Sequence, residues 1–135
     1  MPVRYFVSYS RRDNDIERLC EIRALLGGLG CVYVDDLEAH DPSIDRTQTV
    51  INALARAENF IAVHSENYLM TEWTRWEFES ALHMGIEMAA LFPNNRLAKS
   101  SDPQWPWPTH FPHARDAAAL EVGGVSMTES SPRQS

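Results

Sequence analysis

The segment Phe60-Ile61-Ala62-Val63 is apolar at every position. A short run of this kind suits a strand in a parallel sheet covered on both faces. Parallel neighbours need crossovers of a dozen or more residues, usually helical, and the chain supplies them. Arg4–Tyr9 (RYFVSY) reads as a first strand, rich in β-branched and aromatic residues. Ser10–Asp15 interrupts it. From Ile16, apolar residues recur at Leu19, Cys20, Ile22, Leu25 and Leu26, close to helical spacing. Asp13 and Asp15 stand where a helix N-terminus favours negative charge, and Gly27, Gly28 and Gly30 end that helix. Cys31–Val34 is a second short strand, Asp35–Ser43 an acidic loop containing Pro42, and Ile44–Ala57 a second helix. Ser65–Met70 is a loop, and Thr71 or Thr74 opens a third helix running to about Ala89. Ala90–Phe92 is either a fourth strand or the tail of that helix.

This alternation predicts an α/β fold, with a central parallel sheet of four to five strands and helices on both faces. In such sheets ligands sit outside the carboxyl ends of the strands. Attention therefore falls on the loops after Tyr9, Val34 and His64. Beyond Pro93 the pattern weakens. Five of the eight prolines lie between Pro93 and Pro112, including Trp105-Pro106-Trp107-Pro108, and the segment reads as irregular. Its two tryptophans are expected to pack onto the domain. His113–Leu120 fits a short helix and Glu121–Val125 a short strand. One domain is expected over residues 1–125, followed by a disordered tail over 126–135.

A chain of 135 residues can bury roughly two-thirds of its unfolded surface without staples. It carries 12 basic against 19 acidic residues, a net charge of −7. That argues against a nucleic-acid partner, which requires clustered positive charge. Lys99 is the sole lysine, so lysine-dependent chemistry has a single candidate. No opening signal sequence and no run of ~20 apolar residues are present, so neither a membrane partner nor a secreted location is expected. In the cytoplasm, Cys20 and Cys31 remain reduced, and both read as small buried hydrophobes.

Each loop offers chemistry and a plainer alternative. Arg11 and Arg12 can receive a diphosphate, or belong to a solvated turn with helix caps. Asp35, Asp36, Glu38, His40 and Asp41 can hold a divalent cation, or form an exposed acidic loop; their spacing fits no EF-hand. In Trp73-Thr74-Arg75-Trp76-Glu77, Trp73 and Glu77 share one helical face. A flat indole beside a carboxylate can hold a cationic heterocycle while the carboxylate faces the adjoining sugar. Alternatively, Thr74-x-x-Glu77 is a capping box and Trp73 a core residue.

The opening YFVSYSRRD, a helix, a short strand with an acidic loop, and then FIAVHSENYLMTEWTRWEFESAL together resemble the Toll/interleukin-1 receptor (TIR) domain family. The last stretch carries the family pattern through Ser65, Tyr68, Thr71, Trp73 and Glu77. The resemblance covers about residues 3–92 and looks closer to bacterial members than to animal receptors. It implies a flavodoxin-like fold. It also implies one of two roles: cleavage of NAD+ at the nicotinamide–ribose bond, commonly in bacterial antiphage defence, or a non-catalytic interaction module. In the cleaving members the matching glutamate is catalytic, which maps to Glu77, with Trp73 as its paired aromatic. By analogy Tyr9, Ser10 and Arg11 line the substrate pocket, Arg11 facing the diphosphate. The second loop, with Asp36, closes over it. NAD+ is then a substrate, no metal or cofactor is expected, and self-association through TIR–TIR contacts is implied. One departure stands out: where the family often has Pro-Gly, this chain has Pro42-Ser43.

Two rivals are weak. A receiver domain shares the fold and matches Asp35-Asp36, but it needs a phosphoacceptor Asp ending the third strand and a Lys ending the fifth. The third strand here ends Val63-His64. His110-x-x-His113 lacks the further ligands of a zinc site.

Overall fold

A computed structural model of the protein describes residues 3–28 and 30–107. Five strands, β1 (Val3–Ser8), β2 (Val32–Val34), β3 (Ala57–Val63), β4 (Glu87–Leu91) and β5 (Leu97–Lys99), form one sheet in the order β2-β1-β3-β4-β5. The first four run parallel, and β5 pairs antiparallel with β4. Three helices connect them: α1 (Ile16–Gly27), α2 (Arg46–Arg56) and α3 (Glu72–Met84). This is the flavodoxin-like strand order, in which the chain reverses direction across the sheet at β1 and β3.

The pleat sends alternate side chains to opposite faces. On one face Val7, Tyr9, Val34, Ile61, Val63 and Leu91 pack under Leu19, Ile22 and Leu26 of α1. On the other, Phe6, Phe60 and Ala62 pack under Val50 and Leu54 of α2 and Phe78 and Ala81 of α3. Phe6 stacks on Tyr33 and Phe60, with ring centroids 5.2 and 5.7 Å apart. Both faces of the central strands are thereby dry, which is why β3 needed no alternation of polar residues.

The helix starts follow from local hydrogen bonding. Asp15 accepts from the Arg18 amide at 2.8 Å and caps α1. Asp45 caps α2 through the Gln48 amide, so this helix begins two residues later than Ile44. Ala57 belongs to β3 instead of α2. Thr71 caps α3 by accepting from the Thr74 amide, which settles the choice between Thr71 and Thr74. The capping box expected from Thr74 and Glu77 does not form, because Thr74 lies inside the helix and its hydroxyl donates to the Tyr68 carbonyl.

Three further expectations are corrected. The third helix stops at Met84 instead of Ala89, because Gly85 takes the left-handed conformation (φ 74°) and its amide closes on Ala81 and Leu82. Glu87–Leu91 is therefore free to pair with β3 as a strand. Cys20 and Cys31 are both exposed instead of buried; Cys20 sits on the outer side of α1, beyond the buried stripe of Leu19, Ile22 and Leu26. Past Pro93, β5 appears where no pattern announced a strand, turned back by Asn95 at φ 70°. Trp105 and Trp107 pack against the α2–α3 face as expected, with Trp107 5.6 Å from Phe78 and 5.1 Å from Tyr68. The expected helix at His113–Leu120, strand at Glu121–Val125, the domain limit at 125, the tail and the His110/His113 pair lie outside the described residues.

Candidate active site

A cleft of about 400 Å³ opens at the carboxyl ends of β1 and β3. Tyr9, Ser10, Arg11 and Arg12 from the β1–α1 loop line one side, Asp35 and Arg46 from the β2–α2 region another, and Thr71, Trp73, Thr74 and Glu77 from α3 the third. All three loops singled out from the strand order thus meet at one place. Of the residues expected to form a site, Tyr9, Ser10, Arg11, Trp73 and Glu77 line this cleft. Asp36 stands just behind, holding Tyr9 and Arg11.

Glu77 is 4% exposed. Ser8, the last residue of β1, donates to its Oε1 at 2.8 Å. Tyr68 donates to Ser8 Oγ at 2.7 Å. Burial pushes the Glu77 carboxyl up to about 8, and nearby Asp35 adds to that, while hydrogen bonds from Ser8 and Trp73 and the charge of Arg11 pull against it. Trp73 stands 39% exposed at the rim, its ring 5.0 Å from that of Trp76. It is not a core residue.

The opposite wall is ionic. Arg11 grips Asp36 with two nitrogens, Nε to Oδ2 and Nη2 to Oδ1, both at 2.8 Å. Tyr9 donates to Asp36 Oδ2 at 2.7 Å and accepts from the Asp36 amide at 2.9 Å. Burial alone would raise the Asp36 carboxyl, but the Tyr9 and Arg11 hydrogen bonds and the charges of Arg11 and Arg46 outweigh it and hold it below its ordinary value. Asp35, 5% exposed, accepts from Tyr33 at 2.6 Å and from both Nε and Nη2 of Arg46 at 3.1 and 2.6 Å. Burial, reinforced by these carboxylates, raises the phenols of Tyr9 and Tyr33 well above their usual range, so both remain donors. Arg12 lines the same cleft with no carboxylate within ion-pair distance among the described residues. At the start of the acidic loop, buried Asp35 and half-buried Asp36 are thus both paired with arginines. Among the described residues, no group of three or more His, Cys, Asp or Glu is arranged to hold a metal ion.

At the loop's turn, Asp41 accepts from the amide and hydroxyl of Ser43 at 2.9 and 2.7 Å. Ser43 keeps a negative φ, so the loop closes here without a glycine. Sequence reasoning missed Arg46, and it reached Ser8 only as a residue of the first loop and Tyr68 only within the pattern from Ser65 to Glu77, neither as a partner of Glu77. A signal for Ser8 existed: it is a hydroxyl residue on the inward face of a strand whose neighbours there are aromatic.

A family model for the TIR domain matches residues 6–106. The chain belongs to the TIR domain family. Among solved structures, the TIR domains of the activated Roq1 resistosome, which directly recognizes the pathogen effector XopQ, are similar in fold. The TM-score is 0.58 at 19% identity, over 67% of this chain and 57% of that one. The chain thus spans little more than half the length of that TIR structure. A search of curated proteins found no match. No helix among the described residues is long and apolar enough to cross a membrane.

Proposed function

We propose that this TIR domain cleaves NAD+ at the nicotinamide–ribose bond, releasing nicotinamide and ADP-ribose or a cyclic isomer. The observation that carries this reading is Glu77: a buried carboxyl, not engaged in capping, at the wall of a cleft beside an exposed indole. The substrate's leaving group is a pyridinium. When the C1′–N bond breaks, its electron pair goes to nitrogen and nicotinamide departs neutral, so no general acid is needed. Ordinary glycosidases need a second carboxyl for that protonation. What remains is the positive charge growing on the ribose, which one preorganised carboxylate in a dry site can stabilise. Water then adds to C1′ and sheds a proton, or a hydroxyl of the same molecule closes the ring.

Glu77 must be ionised for this task, and in the empty cleft its raised affinity for protons keeps it largely neutral at pH 7. The cationic substrate changes that balance. A pyridinium laid on Trp73 favours the charged carboxylate, so the catalytic form is completed by the molecule it acts on. Arg12, outside any ion pair among the described residues, supplies a charge for the diphosphate. Arg11 serves the same group by sharing its guanidinium with Asp36. Ser10, whose hydroxyl is buried in the cleft wall without a partner, is available to a bound ribose.

Incubating the protein with NAD+ and separating nicotinamide from adenine-containing products by mass spectrometry tests the reading. Wild type releases nicotinamide, and Glu77→Gln does not. Equal rates would remove Glu77 from the mechanism. The resemblance to bacterial members and the pathogen-recognising assembly of the structural neighbour support a role in defence signalling through self-association. A second reading, a non-catalytic assembly module, draws on the exposed apolar pair Met70 and Trp73 at the start of α3. Absence of turnover even at concentrations that drive assembly would favour it.

A further inference from the structure

Ser8 occupies a position that the fold would ordinarily give to an apolar residue. It is fully buried, at the end of the strand that carries Phe6 on the same face. Tyr68, behind it, is fully buried too. A buried hydroxyl without a partner is costly, and this pair is satisfied in a single direction. Burial holds the Tyr68 phenol well above its usual range, so it keeps its proton and gives it to Ser8 Oγ. Ser8 has one proton, and it points to Glu77 Oε1.

We propose that Ser8 is a positioning residue for Glu77: held from behind by Tyr68, it fixes Oε1 so that the other carboxyl oxygen is presented to the cleft. The role deepens the nucleosidase reading and rests on it only for its catalytic consequence. The relay is itself anchored. Trp107 lies against the Tyr68 ring at 5.1 Å, and the Thr74 hydroxyl donates to the Tyr68 carbonyl, tying the β3–α3 loop to the first turn of α3. The other groups facing Glu77 are Trp73 from its own helix, Arg11 from the β1–α1 loop and Asp35 after β2. Arg12 and Arg46 line the same cleft. Among the described residues, Ser8 alone reaches the carboxyl from the strand beneath it.

The test separates the relay from the activity. Glutamate carboxyls are labelled with ¹³C in the full chain, and the resonance lost in Glu77→Gln is assigned to Glu77. Ser8→Ala is expected to move its titration midpoint up by about one unit, the weight of a hydrogen bond to a charged group. Tyr68→Phe moves it the same way by less. In assays with NAD+, Ser8→Ala lowers kcat by about 10–100-fold and leaves KM within about twofold, the signature of an interaction realised in the transition state. An unmoved midpoint in folded Ser8→Ala overturns the proposal, as does a rise in KM with kcat intact. Where Ser8→Ala fails to fold, an unmoved midpoint in Tyr68→Phe overturns it equally. A protein that releases no nicotinamide, yet shows the shifted midpoint, keeps the relay and loses the NAD+ reading.

Discussion

Two carboxyl groups stand at the same cleft and titrate in opposite directions. Glu77 is met by a neutral hydroxyl and pushed up; Asp36 is met by Tyr9 and the guanidinium of Arg11 and pulled down. Burial opposes the charged form in both. The difference lies in the partner: full positive charge on one wall, uncharged donors beneath the other. The ionic wall is satisfied in the empty protein, whereas Glu77 forms no ion pair among the described residues, and a positively charged ligand can supply one.

Removing the charge at Glu77 sharpens this contrast most. Glu77→Gln is expected to reduce nicotinamide release by about 10³-fold, whereas Asp36→Asn, measured in the same assay, changes it far less. Next is pH. The free protein must lose a proton at Glu77 near pH 8, so kcat/KM rises with pH, nearly tenfold per unit below that point, and levels above it. A profile falling over this range would make Glu77 a proton donor and break the comparison. Arg12→Ala should raise KM for NAD+ by about tenfold. Arg11→Ala should raise it by about threefold, because Arg11 already shares its charge with Asp36. An unchanged KM in Arg11→Ala would end its assignment to the diphosphate.

The stability difference is smaller but directional. Glu77 binds a proton more tightly when folded than at its ordinary value of 4.5. Its contribution is therefore fully present below pH 4.5 and lost as pH rises through about 8. Melting curves should show Glu77→Gln equal to wild type at pH 4 and more stable at pH 9, by on the order of 5–10 °C. Asp36 behaves inversely: its contribution is present above its ordinary value and lost as pH falls through its lowered one.

The sheet was legible because Phe60–Val63 and Arg4–Tyr9 are strong local signals that agree with the tertiary outcome. The location of the cleft followed from strand order alone. The end of α3 was also written in the chain, since Gly85 is a stop signal, but the apolar residues beyond it continued the helical spacing and masked it. β5 was not legible: three residues paired antiparallel at an edge carry almost no periodicity. The capping box failed because two threonines compete at the helix start, and Thr71 wins by leaving Thr74 to bond the Tyr68 carbonyl. Glu77 and Trp73 were found through the family pattern. The role of Ser8 was hidden because nothing local shows that its hydroxyl turns inward to a carboxyl 69 residues further on. Arg46 was hidden because its partner lies 11 residues away across a turn.

One contact outside the cleft joins two of its sides. Asp13 accepts from both the backbone amide and the side-chain amide of Asn67, at 2.7 and 2.8 Å. This ties the rim after β1 to the rim after β3. The β2–α2 loop reaches the β1 side through the Arg11–Asp36 ion pair, which salt weakens, and through two Tyr9–Asp36 hydrogen bonds. Of the three sides, the one after β2 is thus the least firmly tied, and raised salt is expected to loosen it further.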